Sequence, residues 1–276
     1  MLITVYITNY NYGQYLSKAV DSVLNQSTTD FELIIIDDGS VDNSKEIIES
    51  YRSNKKVSII YQQNKGLNAT NNVALKASNG KYIMRLDADD YLEENAIEIL
   101  SQKLESDPEL GLVFPNYYLV NKDDFIISEE IRHDFDNEVQ LFDQAAHGAC
   151  TMIRADFLKQ VGGYNENYTC QDGYELWVKF TLKFKISNVS KPLFYYRQHG
   201  ANLTSNENRI LDTRAQINSD YIAESGISTK SLIVIPVRGG EKDLAYRKIG
   251  NRNFISQKVG QALETVNHTE TIITSP

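Results

Sequence analysis

Cysteine is nearly absent: Cys150 and Cys170 are the two in 276 residues. Two thiols so placed form neither a disulfide framework nor a metal-type pair, which points to a reduced, cytoplasmic setting. Long basic runs are missing as well. The 28 Lys and Arg against 37 Asp and Glu leave a net charge of −9, which argues against nucleic acid as a partner. Met1 to Ile7 lacks the basic start and long apolar core of a signal peptide. No window approaches the roughly 18–20 apolar residues of a membrane span, and there is no internal repeat or low-complexity segment. What remains is an ordinary globular composition, 41% hydrophobic, long enough for one large α/β domain or for one domain plus a fragment. The 17 Tyr and 10 Phe can supply core, a substrate platform or both, and their number alone does not decide.

The densest chemistry lies in Lys81-Tyr-Ile-Met-Arg-Leu-Asp87-Ala88-Asp89-Asp90. The apolar run from Tyr82 to Leu86 reads as a buried strand, and it ends in three carboxylates within four residues. Clustered acids at a strand end pack poorly, but they suit a hard divalent cation such as Mg²⁺ or Mn²⁺. Such a cation commonly serves a phosphate that an acidic protein could not otherwise hold. Asp90 directly precedes a helical stretch and reads as an acid at a helix start, favoured by the macrodipole.

The first part of the chain alternates strands and helices. Strands are expected at 2–7, 31–36, 57–61 and 82–86, with helices at 14–24, 44–51, 67–77 and 93–105. Alternation at this pitch predicts a mostly parallel central sheet with helices on both faces, in which ligands bind at the carboxyl ends of the strands. Three strand ends carry polar clusters: Thr8-Asn-Tyr-Asn11, Asp37-Asp38 and Asp87 to Asp90. The second part is mixed. Strands are expected at 112–118, 125–127 and 193–196, and helices at 155–161 and 173–184. A polar, mostly exposed helix is expected at 206–223. Trp177 falls on the apolar side of its helix and reads as core.

Taken in order, the motifs resemble those of the family 2 inverting glycosyltransferases with the GT-A, Rossmann-like α/β fold. They are Thr8-Asn-Tyr-Asn11, Ile36-Asp-Asp-Gly-Ser40, Asn64-Lys-Gly-Leu67, Asp87-Ala-Asp89, Gly162-Gly-Tyr164, Gln171-Asp-Gly-Tyr-Glu-Leu-Trp177 and Tyr196-Arg-Gln-His199. The resemblance covers roughly residues 1–204. It implies a nucleotide-binding half at about 1–110 and an acceptor-binding half at about 111–204, within a domain of residues 1–226 that includes the exposed helix. It implies a nucleotide-sugar donor, with UDP the expected nucleotide, and a glycan or lipid-linked acceptor in bacterial surface polysaccharide synthesis. A lipid-linked acceptor would bring transient peripheral contact with the inner face of the membrane.

The site residues follow from the same resemblance. Thr8 and Tyr10 line the base, and Asp37 or Asp38 accepts a hydrogen bond from it. Asp89 is the metal ligand, with Mn²⁺ or Mg²⁺ implied, and Asp87 faces the ribose or a metal-bound water. Asp172 is the base that deprotonates the acceptor hydroxyl, with Glu175 one turn along as the fallback. His199 contacts metal or phosphate. Arg197 neutralises phosphate or pairs with an acid at the core edge. Plain helix caps at Asp38 and Asp172 are the bland alternatives.

Departures from the family pattern sharpen the expectation. Where the family commonly shows Ala-Arg-Asn, this chain has Thr70-Asn71-Asn72. The missing positive charge leaves Lys65, Arg85 or the metal to compensate at the diphosphate. Gln171 stands where the family has Glu. The Gln/Arg-x-x-Arg-Trp motif of polymerising relatives is absent, which favours transfer of single sugars. A sugar-phosphate nucleotidyltransferase shares the layout and the acids but does not account for Asp172 or His199, and a silent sugar-nucleotide binding module is the third reading. After residue 226, Ile233 to Lys242 with its Arg238-Gly-Gly-Glu-Lys loop resembles the start of a CMP-sugar cytidylyltransferase. A helix at 254–266 and a strand at 270–274 would continue it. At 227–276 this second α/β unit is incomplete, as expected for a truncated bifunctional protein.

Overall fold

The structure is a computed structural model that describes residues 2–131, 147–200, 207–225, 246–249 and 252–255. In chain order its elements are β1 (Ile3–Asn9), α1 (Gly13–Leu24), β2 (Phe31–Asp37), α2 (Ser44–Ser50), β3 (Val57–Tyr61), α3 (Leu67–Ala77), β4 (Tyr82–Asp87), β5 (Tyr91–Leu92) and α4 (Ala96–Glu105). Then come β6 (Leu110–Asn121), β7 (Ile126–Glu130), β8 (Met152–Arg154), α5 (Ala155–Gln160), α6 (Asp172–Lys183), β9 (Lys185–Gln198), α7 (Glu207–Ser225), β10 (Tyr246–Ile249) and β11 (Arg252–Ile255).

One sheet runs β3-β2-β1-β4-β8-β6-β9-β5, with β7 flanking β6. Strands β1 to β4 are mutually parallel. Strand β8 is antiparallel to both β4 and β6, and β9 is parallel to β6. Thus β1 to β4, β6 and β9 all point one way, which is the mostly parallel α/β layout expected. Strand β1 sits between β2 and β4, so the chain leaves it in both directions. The crevice between the carboxyl ends of β1 and β4 is therefore the switch point where such sheets bind ligands. Register places Thr8 beside both Ile36 and Asp87, and Asn9 beside Asp37.

Alternation along β1 explains the two helical layers. Ile3, Val5 and Ile7 face one side and pack with Leu16, Val20 and Val23 of α1, Ile48 of α2 and Leu100 of α4. Tyr6 faces the other and joins Ala74 of α3, Leu158 of α5 and Leu176, Trp177 and Phe180 of α6. Helices on both faces cover the central strands, which is why these read as nearly continuous apolar runs. Trp177 is core, edge-on to Phe114 at 5.9 Å.

Several boundaries differ from expectation for physical reasons. Helix α4 begins at Ala96, not Glu93, because Tyr91 and Leu92 form β5 and pair with Tyr195 and Phe194 of β9. Asp90 is consequently not a helix-start acid. It is buried, and its Oδ1 accepts the backbone N–H of Arg197 at 2.9 Å. Strand β9 extends over 14 residues, far beyond 193–196, because it pairs along most of β6 through three register irregularities. Its polar first half, broken by Pro192, carries no strand period. Helix α7 is not merely an exposed polar helix: Thr213 and Ile217 are buried, and Ile217 packs with Tyr168, Tyr174 and Val178. Phe254 and Ile255, expected to open a helix, lie instead in β11, which pairs antiparallel with β10. The segment from Ile233 to Lys242, the expected strand at 270–274 and the rest of the 254–266 helix lie outside the described residues.

Phe180 joins α6 to the sheet and is fully buried. Replacing it with Ala is expected to destabilise the fold by about 3–5 kcal/mol, read as a lowered urea midpoint with an unchanged slope.

Candidate active site

The site begins at the carboxyl ends of β1, β2 and β4. Asn9, at the end of β1, donates through Nδ2 to Asp37 Oδ1 at 2.8 Å and to Ser40 Oγ at 3.0 Å. Asn11 adopts a left-handed backbone (φ 62°) and returns two bonds to the loop after β2: its N–H donates to Ser40 Oγ, and its Oδ1 accepts from the N–H of Val41. The two loops therefore form one rim, with Tyr10 exposed on it and Thr8 half-buried beneath.

Asp38 is buried, and its carboxylate is engaged by protein donors. Gln62 Nε2 donates to Oδ1 at 2.7 Å, and the backbone N–H groups of Lys65 and Gly66 donate at 2.9 Å each. Asp38 thus fixes the Asn64-Lys-Gly turn that leads into α3, while the Lys65 side chain points to solvent. Asp37 is held by Asn9 and by the N–H of Ser40.

At the end of β4 the acids meet a buried cation. Arg85 is 4% exposed and forms ion pairs in two directions: its Nη1 donates to Asp172 Oδ2 at 2.6 Å, and its Nε lies 2.9 Å from Asp87 Oδ1. The Nε contact is close but poorly aligned for a hydrogen bond, since that atom otherwise has no partner. Burial works against the guanidinium charge, but Asp172 and Asp87 outweigh it and hold Arg85 above its ordinary pKa. Asp87 is only partly relieved in turn. Burial pushes its carboxyl up, Arg85 opposes, and Asp89 and Asp172 add to the rise. Asp90 is pushed up for the same reasons, burial first and then Asp89 and Asp87. An acidic cluster in this condition favours a divalent cation.

Asp89 and His199 come together although 110 residues separate them. His199 Nε2 lies 2.9 Å from Asp89 Oδ2. The imidazole is buried between two rings, stacked on Tyr15 at 5.4 Å and tilted against Tyr12 at 5.3 Å. Burial and the Asp89 and Asp87 charges keep the Tyr12 hydroxyl protonated. One carboxylate and one imidazole offer an oxygen and a nitrogen donor, and the carboxylate is of the kind that suits Mn²⁺ and Mg²⁺. Among the described residues no group of three or more His, Cys, Asp or Glu forms a complete cation cage. A metal held by two protein ligands takes its remaining positions from phosphate and water, the usual arrangement for phosphate-bridging Mg²⁺. The residues present fit the group in that sense.

His199 reaches Asp89 because the end of β9 is tied to the β4–β5 turn. Besides the Asp90 bond, Arg197 Nε donates to the Asp89 carbonyl at 2.8 Å. Of the two roles expected for Arg197, the structure shows the ion pair: Nη2 meets Asp124 at 2.6 Å, and Nη1 donates to the Lys122 carbonyl. Its guanidinium also covers the Tyr15 ring at 4.5 Å. It is fully buried and organises the β6–β7 turn.

Asp172 opens α6, with 7% of its surface exposed. Glu175, the fallback base, is engaged elsewhere: it pairs with Lys179 at 2.5 Å and accepts the N–H of Asn165. Burial raises its pKa, partly offset by Lys179. The loop that precedes α6 is held by α3. Asn72 grips Tyr164 through both its N–H and its C=O, and Asn68 Nδ2 donates to the carbonyls of Asn165 and Tyr168. A Cβ on Gly163 (φ 68°) would stand 2.7 Å from Asn72 Oδ1, so Gly-Gly-Tyr needs its second glycine. Asn71 is buried and accepts from Tyr6 Oη.

The sequence motifs do not single out Asn9, Asn68, Asn72 or Gly148. The first three lie in or beside the motifs named above: Asn9 ends a strand just before a turn, while Asn68 and Asn72 lie within α3. Gly148 had none. Its added Cβ would lie 2.2 Å from Asp172 Oδ2 and 2.8 Å from Arg85 Nη2, so only hydrogen fits against that ion pair.

Acids at a switch point, an oxygen–nitrogen pair for a cation, and a carboxylate at a helix start across the crevice define a nucleotide-sugar transferase type of site. Residues 4–162 match the model of glycosyl transferase family 2, and the chain belongs to that family. It is similar to the chondroitin synthase of Pasteurella multocida (strain Pm70), 34% identical over 216 residues, covering 77% of this chain and 22% of that protein. The chain thus spans about a fifth of the length of that relative. In fold it resembles S. aureus TarS 1-349 in complex with UDP-GlcNAc (TM-score 0.67, 20% identity), over 80% of this chain and 67% of that one. It also resembles the mannosyltransferase PcManGT of Pyrobaculum calidifontis in complex with GDP-Man and Mn²⁺ (TM-score 0.61, 14% identity), over 83% and 65%. Among the described residues no helix is long and apolar enough to cross a membrane.

Arg85→Leu would leave the buried Asp172 and the half-buried Asp87 without their cation. It should destabilise the protein by about 3–5 kcal/mol, whereas Arg85→Lys, a single ammonium that cannot fork between two acids, should recover only part. Chemical denaturation of the three proteins decides it.

Proposed function

We propose that this chain is an inverting, metal-dependent glycosyltransferase that moves one sugar from a nucleoside-diphosphate sugar to a hydroxyl of a glycan or lipid-linked acceptor. The observation that carries the reading is the Arg85 fork. It holds a donor-side acid, Asp87, and the candidate base, Asp172, on one guanidinium, at 2.9 Å and 2.6 Å. Donor and acceptor chemistry therefore share one crevice.

In this reading the rim of β1 and β2 takes the nucleoside. Tyr10 covers the base, Thr8 lines it, and Asp37 is the better placed of the two paired acids, since Asp38 already accepts three bonds from Gln62, Lys65 and Gly66 in the segment after β3. Asp87 faces the ribose. Asp89 and His199 would hold Mn²⁺ or Mg²⁺, which supplies charge neutralisation for the departing nucleoside diphosphate. Asp172 Oδ2 is engaged by Arg85, so Oδ1 is the atom that accepts the proton of the acceptor hydroxyl. The hydroxyl oxygen bonds to the anomeric carbon from the face opposite the diphosphate, and the bond to the diphosphate oxygen breaks, inverting the centre. Lys65, exposed in the loop that Asp38 holds, is the cation assigned to the diphosphate once Arg85 is committed between its two acids.

UDP is the nucleotide proposed, supported by the fold-level likeness to TarS bound to UDP-GlcNAc. A glycan acceptor is supported by the name of the chondroitin synthase relative. Transfer of single sugars rests on the missing polymerising motif. The working domain is residues 1–226, cytoplasmic, with peripheral membrane contact when the acceptor is lipid-linked. Residues 227–276 are read as a separate unit, with an Arg238-Gly-Gly-Glu-Lys loop that resembles a cytidylyltransferase phosphate loop.

Asp172→Asn should lower transfer by roughly 10²–10⁴-fold while UDP affinity, followed by titration calorimetry, stays near wild type; surviving transfer would remove Asp172 as base. Mn²⁺ should raise the melting temperature in the presence of UDP, and Asp89→Ala should abolish that gain. An equal gain in the variant would sink Asp89 as ligand.

A further inference from the structure

Helix α7 has no part in the chemistry described so far, yet it touches each of the four residues that precede the candidate base. Tyr168 Oη donates to Asp220 Oδ2 at 2.7 Å. Arg209 donates to the Thr169 carbonyl at 2.5 Å and to its Oγ1 at 3.1 Å. The Cys170 thiol lies 3.2 Å from Thr213 Oγ1. Arg214 Nε donates to Gln171 Oε1 at 2.6 Å, and its guanidinium covers the Tyr174 ring at 5.0 Å. Beneath these polar contacts Ile217 packs with Tyr168, Tyr174 and Val178.

Gln171 is where this lacing converges. Its backbone is left-handed (φ 64°, ψ 30°), directly before the first residue of α6. For a residue that is neither Gly nor Asn this conformation costs roughly 1–2 kcal/mol and persists only where the surroundings over-determine it. The Gln171 side chain makes no capping bond to α6; it reaches away from the crevice to Arg214. The same backbone torsions set the direction in which Asp172 leaves the turn and meets Arg85 Nη1. A relaxed Gln171 would swing the first turn of α6 and carry the carboxylate out of line.

We propose that α7 is a clamp on the acceptor side of the site, and that Arg214, acting through Gln171, is a positioning residue for Asp172. This rests on the reading of Asp172 as base. It also gives the Gln in place of Glu a purpose: an uncharged acceptor aimed at α7, outside the substrate crevice.

The test uses the full chain and four variants: Arg214→Met, Arg214→Lys, Asp172→Asn, and Asp172→Asn with Arg214→Met. The readouts are Mn²⁺-dependent UDP release from a panel of UDP-sugars, UDP titration, and hydrogen exchange by mass spectrometry. Arg214→Met should slow UDP release roughly ten- to a hundredfold, with UDP affinity within twofold of wild type. Exchange should rise in peptides covering 168–175 and not in β1 to β4. Arg214→Lys, which still donates to Oε1, should recover most of the rate. Adding Arg214→Met to Asp172→Asn should slow it no further, because the effect passes through the base. The clamp is overturned if exchange at 168–175 is unchanged, if UDP affinity falls in step with the rate, or if the two substitutions multiply. A fully active Asp172→Asn would sink the base assignment and this inference with it. An inactive Asp172→Asn beside a fully active Arg214→Met would overturn the clamp alone.

Discussion

A single buried guanidinium makes the acidic centre of this protein possible. Asp87, Asp89, Asp90 and Asp172 converge below the switch point of the sheet, in a chain whose net charge is already −9. Carboxylates buried together repel and lose their hydration, and they persist in a core only when paired. Arg85 answers both demands from the strand that leads into three of the four acids. Two residues before Asp87 on the same strand, its side chain leaves β4 on the same face and lies under the strand end. Its planar fork reaches Asp87 with one edge and Asp172 with the other, a geometry no lysine reproduces. The tight fit of Gly148 against Asp172 and Arg85 shows how closely the surrounding loop has closed on that pair.

The second constraint is the seam between β9 and the β4–β5 turn. Asp90 receives the N–H of Arg197, and Arg197 reaches back to the Asp89 carbonyl and out to Asp124. These bonds carry no chemistry themselves. They deliver His199 to Asp89 and bring the β6–β7 turn against the same corner. A charge that reads in sequence as a partner for phosphate or for an acid at the core edge is here paired with Asp124 and serves as an internal brace, because N–H donors on a buried side chain must find acceptors.

The acceptor side is built differently. Nothing on α6 alone fixes Asp172; Asn68 and Asn72 hold the loop before it from α3, and α7 holds its last four residues from the other flank. The amides at 68, 71 and 72 join α3 to β1 on one side and to the loop before α6 on the other.

Much of this was legible in the sequence, and the reason is local. Strands β1 to β4 are apolar runs of the right length between turn signals, and helices α1 and α3 carry a clear period, so the alternating layout and its three polar strand ends followed from the order of residues. The acids at 87 and 89 stood out because packing alone gives little reason to cluster carboxylates at the end of a buried run, whereas Asp172 and His199 were legible only through the family resemblance of the motifs around them. What sequence could not give was pairing across distance. The length of β9 depends on β6, the burial of Asp90 depends on Arg197, and the buried face of α7 depends on the loop at 168–171. Residue types and turn positions are properties of a short window; which carboxylate faces solvent, which faces a guanidinium and which braces a strand is settled only when segments far apart in the chain exclude water from one another.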